Sequence, residues 1–221
     1  ATLADVTAEC EVVSITAPTA TDNCGATITG TTTDPLTYNT QGTHVINWSF
    51  DDGNGNITTE TQDVIINDIT APVADVATLA DVTAECEVVS ITAPTATDNC
   101  GATITGTTTD PLTYNTQGTH VITWSFDDGN GNITTETQNV IINDVTAPVA
   151  DVATLADVTA ECEVASITAP TATDNCGATI TGTTTDPLTY NTQGTYIITW
   201  SFDDGNGNTS TQTQNVVIND V

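Results

Sequence analysis

In the stretch His44-Val45-Ile46-Asn47-Trp48-Ser49-Phe50 the even-numbered positions are large, while Val45, Asn47 and Ser49 between them are smaller or polar. A period of two sends alternate side chains to opposite faces, so this pattern predicts a strand with one buried face. Asn47 becomes Thr123 and Thr199 further along, a change suited to an outward face. The run Asp51-Asp52-Gly53-Asn54-Gly55-Asn56 has the composition of a turn, and the Thr- and Ile-rich stretch from Ile57 to Asn67 continues as a second strand. Residues 44–67 therefore read as a long hairpin. Val12–Thr16 and Ala26–Thr33 supply further strands, with Ala17-Pro18, Asp34-Pro35 and Gln41-Gly42 as breaks. No stretch has helical periodicity, and the expected class is all-β, built of small antiparallel sandwiches with Greek-key links.

The pattern recurs. Residues 1–76 return almost letter for letter at 77–152 and again from 153 to 221, and the first two copies differ only at Asn47/Thr123, Asp63/Asn139 and Ile69/Val145. An enzyme gathers its chemistry into one asymmetric cleft, whereas near-identical cassettes suggest architecture, adhesion or repeated ligand capture. Ala1 lies inside the repeating unit, so the sequence reads as a window on a longer array, with any signal peptide or anchor expected outside it. The expected domains are 1–69 (lacking its first residues), 70–145 and 146–221. Pro72 fixes its φ and no Gly or Ser run follows it, so the joint is expected to be short and stiff.

Charge changes the picture. The chain has 29 acidic residues and no Lys or Arg, a formal net charge of −29, with the acids distributed through all three copies. Nucleic acid is excluded as a partner on charge sign. No unbroken apolar run is long enough to cross a membrane, so no membrane insertion is expected in this segment. With no internal cations, an external one must neutralise the acids. Six cysteines fall as one pair per copy, Cys10/Cys24, Cys86/Cys100 and Cys162/Cys176. Their even count reads as three disulfides, each within its own copy, and implies an oxidising, extracellular setting. Zinc is the rival, but only His44 and His120 are available and the third copy has Tyr196 there.

Several short motifs fall together in each copy: Asp5-Val6-Thr7-Ala8-Glu9-Cys10, Ala17-Pro18-Thr19-Ala20-Thr21-Asp22-Asn23-Cys24-Gly25, Gly42-Thr43-His44-Val45, the Asp52-Gly53-Asn54-Gly55-Asn56 turn and Thr70-Ala71-Pro72-Val73. Together they resemble the hyalin repeat, over the whole unit and in all three copies, in the form found in very large secreted and cell-surface proteins of bacteria, including adhesins of gliding bacteria. The resemblance implies tandem immunoglobulin-like sandwiches with adhesive or structural roles. Many hyalin repeats carry a cysteine in the last strand, where this chain has Thr59-Glu60-Thr61-Gln62. The pairing of Cys10 with Cys24 therefore rests on count and not on the family.

Calcium is the expected cofactor. Asp52, Asn54 and Asn56 alternate with glycines and place hard oxygen ligands two apart on a backbone that bends tightly. The same composition also serves a plain hairpin turn. In such a sandwich the last hairpin turn lies at the pole where the chain enters, so Asp127, Asp128 and Asn130 should face Asp68 and Asp75 of the preceding joint, with Asp98 reaching the same pole. The next joint repeats the set with Asp203, Asp204 and Asn206 against Asp144, Asp151 and Asp174, and Asp51, Asp52 and Asn54 are the counterparts in the first copy. Such converging carboxylates either hold a hard cation or fan out into water.

Other readings are open. Thr27, Thr29, Thr31 and Thr33 alternate and could present a flat face to ice or glycan, though Thr is also a good exposed strand residue. Asn47-Trp48-Ser49, Asn56-Ile57-Thr58, Asn132-Ile133-Thr134 and Asn208-Thr209-Ser210 match the N-glycosylation acceptor pattern. Trp48, Trp124 and Trp200 belong to the core by their shared face with Ile and Phe. No Ser/His/Asp set is common to all copies, and no enzyme is expected. The expected function is a structural, calcium-stiffened repeat region of an extracellular adhesin or filament, the alternative a ligand- or glycan-binding module. Its expected partners are neighbouring repeats and copies of itself in filaments.

Overall fold

The computed structural model describes residues 2–220, and every regular element among them is a strand. In the first copy these are β1 (Val6–Ala8), β2 (Thr19–Thr21), β3 (Thr27–Thr29), β4 (Gly42–Asp51) and β5 (Ile57–Ile66). The second copy has β6 (Val73–Ala74), β7 (Val82–Ala84), β8 (Thr95–Thr97), β9 (Thr103–Thr105), β10 (Gly118–Asp127) and β11 (Ile133–Ile142). The third has β12 (Val149–Ala150), β13 (Val158–Ala160), β14 (Thr171–Thr173), β15 (Thr179–Thr181), β16 (Gly194–Asp203) and β17 (Thr209–Ile218). Each copy forms a sheet of three strands, ordered β1-β5-β4, β10-β11-β7 and β13-β17-β16. The opposing sheets are β2-β3, β6-β8-β9 and β12-β14-β15, which makes the fold a series of small β-sandwiches.

The predicted hairpin is present: β4 and β5 pair in antiparallel register from Gly42 opposite Ile66 to Asp51 opposite Ile57. We call the turn end of this hairpin the leading end of a copy and the Gly42/Ile66 end its trailing end. Alternation along β4 buries Ile46, Trp48 and Phe50 and leaves Val45 and Asn47 exposed. Val64 and Ile66 of β5 complete this core with Val12 and Ile15. Removing each such side chain from water contributes roughly 1.5–3 kcal/mol. The Trp48 indole N–H donates to Gln62 Oε1 at 3.0 Å, so the one polar atom of the largest core residue is satisfied.

Three features differ from the sequence reading. The first strand pairs with the last in parallel, Val6 opposite Val64 through Ala8 opposite Ile66, so the sheets are not purely antiparallel. Val12–Thr16 forms only a single bridge, Val12 to Tyr38, because Ala17-Pro18 ends the segment before a ladder can grow. Ala26–Thr33 shrinks to Thr27–Thr29 because Gly30 sits beneath the Phe50 ring and donates to Pro18 O at 2.7 Å. The strand thereby leaves its partner β2 and meets β4 through Thr31 and Ser49.

The described chain falls into two compact units, and the middle copy contributes to both. One comprises Ala1–Leu79, Thr92–Thr109 and Thr123–Thr137, the other Ala80–Ile91, Asp110–Ile122 and Gln138–Val221. Each unit contains one joint between copies, with the trailing end of one copy and the leading end of the next.

A Cβ added at Gly182 would meet Phe202 Cε1 at 3.0 Å and Pro170 O at 3.2 Å, so a methyl here has to push the buried Phe202 ring or the Pro170 carbonyl aside by a few tenths of an ångström. Gly182→Ala is expected to destabilise the third copy by about 1–3 kcal/mol through overpacking. Hydrogen exchange resolved to residues 194–218 would show faster opening there, and unchanged protection would contradict this account of the glycine.

Candidate functional site

The joint in the first unit is built from residues that the two strand ends deliver. At the trailing end, Asn67 N–H donates to Ala8 O at 2.9 Å, which lays the residues after β5 alongside those after β1 and sets Asp68 near Cys10. Gln41 clamps both, its amide donating to Glu9 O and its Oε1 accepting from Asp68 N, each at 2.9 Å. At the leading end of the second copy, Asp98 N–H donates to Ala102 O and Gly101 N–H to Asp98 O, both at 2.9 Å, closing a tight turn that presents Asn99 and Cys100. Glu9 Oε2 then accepts from Thr70 Oγ1 at 2.6 Å and from Asn99 Nδ2 at 2.7 Å, tying the trailing end to the leading one. Neither Glu9 nor Asn99 stood out in the sequence, because each becomes meaningful only once the two ends meet.

The same meeting settles the cysteines. Cys10 is bonded to Cys100 and Cys86 to Cys176, while Cys24 and Cys162 are free and exposed. The expected pairing of Cys10 with Cys24, and its two equivalents, is therefore corrected: each disulfide spans 90 residues, from one copy to the next. The reason is hairpin length. Cys10 follows Ala8, which pairs with the trailing end of β5, whereas Asp22 and Asn23 beside Cys24 line a cavity with Asp52 and Asn56 of the turn. Ten strand residues at roughly 3.3 Å each separate those ends. A disulfide needs Cα atoms within about 7 Å, and Cys10 and Cys100 meet that at 5.1 Å.

Beside this bond lie two carboxylates. Asp68 and Asp98 are 4% and 5% exposed, and their oxygens and Cys100 Sγ all fall within 4.8 Å of one another. Asp98 Oδ2 accepts from Cys100 N–H at 2.9 Å, but Asp98 Oδ1 is buried with no hydrogen-bond partner. Asp68 Oδ1 accepts from Thr70 N–H at 3.1 Å and Asp68 Oδ2 from Asn130 Nδ2 at 3.3 Å. Cys100 Sγ stands 3.6 Å from the same oxygen, and as a disulfide sulfur it has no proton to donate. The second unit repeats this arrangement: Asp144 and Asp174 are both 4% exposed and cluster with Cys176, Asn206 Nδ2 donates to Asp144 Oδ2 at 3.2 Å, and Asp174 Oδ1 is again orphaned. Two carboxyls buried side by side repel when both are ionised unless a cation or a shared proton lies between them, and the sequence holds no Lys or Arg to supply the cation.

Of the residues expected to converge, the structure thus brings together Asp68, Asp98 and Asn130, and Asp144, Asp174 and Asn206. The turn carboxylates are held within their own turns. Asp128 Oδ1 accepts from Asn130 and Asn132 N–H at 2.7 and 3.1 Å, and its Oδ2 from Asn132 Nδ2 at 2.7 Å. Asp127 Oδ1 accepts from Gly129 N–H at 2.8 Å. Asp51 and Asp52, and Asp203 and Asp204, do the same in their copies, with Asn54 N–H and Asn206 N–H as donors to Asp52 and Asp204. Gly53 and Gly55 adopt φ of 79° and 93°, the left-handed values that let the chain reverse here. Asn132, whose amide reaches Asp68 O at 3.1 Å, and Thr134, whose hydroxyl donates to Pro72 O at 2.6 Å, bind the linker to the turn. Thr31 of the alternating threonines spends its hydroxyl on Ser49 O, so Thr27, Thr29, Thr31 and Thr33 do not form one continuous array on a strand.

Asp75 and Asp151 lie elsewhere. β6 pairs with β8, so Asp75 N–H donates to Thr95 O at 3.0 Å and its carboxylate accepts from the hydroxyls of Thr95 and Thr97. Asp151 takes the hydroxyls of Thr171 and Thr173 in the same way. These hydrogen bonds, Thr95 or Thr171 foremost, hold both carboxyls below the usual carboxylate range. At Asp128 burial opposes ionisation, and the bonds from Asn132 and Asn130 together outweigh it, so this carboxyl too is lowered.

The fold and the joints define a class: tandem β-sandwich repeats, covalently tied copy to copy, with paired buried carboxylates at each tie. The chain belongs to the family of HYR-like domains with four cysteines, which matches residues 69–142 and 145–218. It is 37% identical over 227 residues to hyalin of Strongylocentrotus purpuratus, covering 93% of this chain and 19% of that protein. To hyalin of Lytechinus variegatus it is 34% identical over 223 residues, covering 91% of this chain and 42% of that protein. The chain thus spans less than half of either relative, and both give the expected bacterial setting no support. Among solved structures, protocadherin gamma B7 extracellular cadherin domains 1–4 match at 10% identity and a TM-score of 0.34, covering 81% of this chain and 58% of that one. Human CDH23 EC21-23 matches at 10% identity and a TM-score of 0.30, covering 90% and 86%. Among the described residues no helix is long and apolar enough to cross a membrane.

A carboxyl lowered by folding stabilises the native state above its unfolded pKa, and that contribution disappears as pH falls through the folded value. Stability is therefore expected to drop on acidification through and below about pH 4. Asp75→Ala with Asp151→Ala should make the drop shallower without abolishing it, because Asp34 and Asp52 are also held low. Thermal midpoints measured from neutral pH downward check this, and equal slopes in the two proteins would contradict it.

Proposed function

We propose that this chain is a structural repeat region of an extracellular adhesive or filamentous protein, in which calcium stiffens the joints between sandwiches bounded at 1–69, 70–145 and 146–221. The observation that carries the reading is the buried carboxylate pair Asp68/Asp98, with Asp98 Oδ1 lacking any partner in a chain without one Lys or Arg. A hard divalent cation takes carboxylate and amide oxygens, which is the donor set here. Asp68 and Asp98 would hold it in one joint, and Asp144 and Asp174 in the other. Half a turn of the Asn130 or Asn206 amide would offer its oxygen as a further ligand. Asp68 belongs to the trailing end of one copy and Asp98 to the leading end of the next, so a shared ion would resist bending of the joint. Copy-to-copy disulfides support an oxidising, extracellular setting. The role needs no reaction, and the repetition of one cassette supports a structural role over a catalytic one.

Calorimetric titration with calcium should find two sites per chain, and hydrogen exchange around residues 67–72 and 98–101 should slow when they fill. Asp98→Asn with Asp174→Asn should weaken binding more than about tenfold, or some 1.4 kcal/mol per site. Asp75→Asn should leave binding unchanged. Absence of binding heat, with no change in exchange, would remove calcium from the account.

A further inference from the structure

Each linker is gripped by alternate side chains at the start of the last strand of the copy it enters. In the third copy Asn208 Nδ2 donates to Asp144 O at 3.1 Å, Ser210 Oγ to Pro148 O at 2.6 Å and Gln212 Nε2 to Val152 O at 2.6 Å. Alternate strand residues share a face, so each step of two along the strand meets a step of four along the linker. The second copy repeats the first two of these bonds, Asn132 Nδ2 to Asp68 O at 3.1 Å and Thr134 Oγ1 to Pro72 O at 2.6 Å. The linkers are laid alike, with Asp75 N–H on Thr95 O and Asp151 N–H on Thr171 O, both at 3.0 Å. At the third position the copies part. Where β17 has Gln212, β11 has Glu136, and the matching linker carbonyl is that of Val76. Glu136 Oε2 is buried with no hydrogen-bond partner among the described residues. Gln212 likewise leaves its Oε1 unpartnered, but its amide has an N–H to give and an ionised carboxylate has none. A neutral carboxylic acid, with one O–H, meets the same demand as the amide. Nothing around Glu136 supplies a positive charge instead. Thr134 and Gln138 flank it on its own strand face, and Trp124 of the neighbouring β10 is the counterpart of Trp200, which stands opposite Gln212. The titratable groups on the elements packed here are Asp75 of the linker, Asp98 of the turn after β8, and Asp127 and Asp128 of the turn before β11, all of them acids.

We infer that Glu136 is a proton-operated catch on the linker. Protonated, it donates to Val76 O as Gln212 donates to Val152 O; ionised, it has no donor, and its carboxylate repels that carbonyl and the surrounding acids. The proton comes from solvent as pH falls, so the grip on Val76 tightens on acidification, opposite in sense to the loss of the Asp75 hydrogen bonds. Gln212 carries its N–H at every pH and holds Val152 throughout. The two joints therefore respond differently to acid, although their disulfides and carboxylate pairs are alike. This proposal is independent of calcium.

The test compares the full chain with its Glu136→Gln and Gln212→Glu variants, reading hydrogen exchange at the Asp75 and Asp151 amides by NMR across pH, with chelator present throughout. After correction for the intrinsic pH dependence of exchange, Glu136→Gln should slow the Asp75 amide about fivefold at neutral pH, the effect of one hydrogen bond of ordinary strength. That gap should close as pH falls to about 4, where an ordinary Glu takes up its proton. Gln212→Glu should carry the behaviour to the other joint, with faster exchange at Asp151 at neutral pH and recovery in acid. Equal exchange at Asp75 in the unaltered chain and Glu136→Gln at neutral pH would overturn the inference. So would a gap that persists unchanged in acid, or a Gln212→Glu variant whose Asp151 exchange does not depend on pH, because the catch would then not be worked by a proton.

Discussion

A covalent bond from the trailing end of one repeat to the leading turn of the next sets what else can happen at each joint. Once Cys10 is bonded to Cys100, the Asp98 turn lies against Asp68, Glu9 reaches Asn99, and the Pro72 carbonyl meets Thr134. Closing a loop of 90 residues contributes roughly 4–5 kcal/mol in the chain-entropy model. That contribution goes to the joint, where a staple confined to one copy would have stabilised a sandwich already held by its Trp, Phe and Ile core.

The acidic composition reads differently once its parts are placed. Asp51, Asp52, Asp127 and Asp128 satisfy turn amides, and Asp75 and Asp151 engage threonine hydroxyls next to the linker strand. These are structural acids, each taken up by donors of its own copy. Asp68, Asp98, Asp144 and Asp174 are different, because burial and proximity set them against each other and leave one oxygen of each pair unpartnered. Net charge alone could not separate these roles. Hydrogen-bond supply does.

Much of a single copy was legible in the sequence. The period-two run of Ile46, Trp48 and Phe50 gave the hairpin and its buried face, and turn composition placed the reversal near Gly53. The turn stands at the pole where the chain enters, and there Asn130 Nδ2 donates to Asp68 Oδ2. The cysteine partners were not legible, since a spacing in sequence says nothing of distance until the length of the intervening hairpin is counted. β1 and β6 were missed because segments of two or three residues carry no periodicity, and their partners are distant in the chain. Asp75 follows from that omission: only a linker paired with β8 turns it toward Thr95 and Thr97 and away from Asp68.

The joints stand or fall with their disulfide connectivity. Digestion of the oxidised protein without reduction, after blocking free thiols, followed by mass analysis of the linked peptides, would read it. The pairs expected are Cys10–Cys100 and Cys86–Cys176, with Cys24 and Cys162 carrying the blocking group in this chain. Peptides joining Cys10 to Cys24 or Cys86 to Cys100 would contradict it, because the joint would then lose the bond that sets its carboxylates side by side.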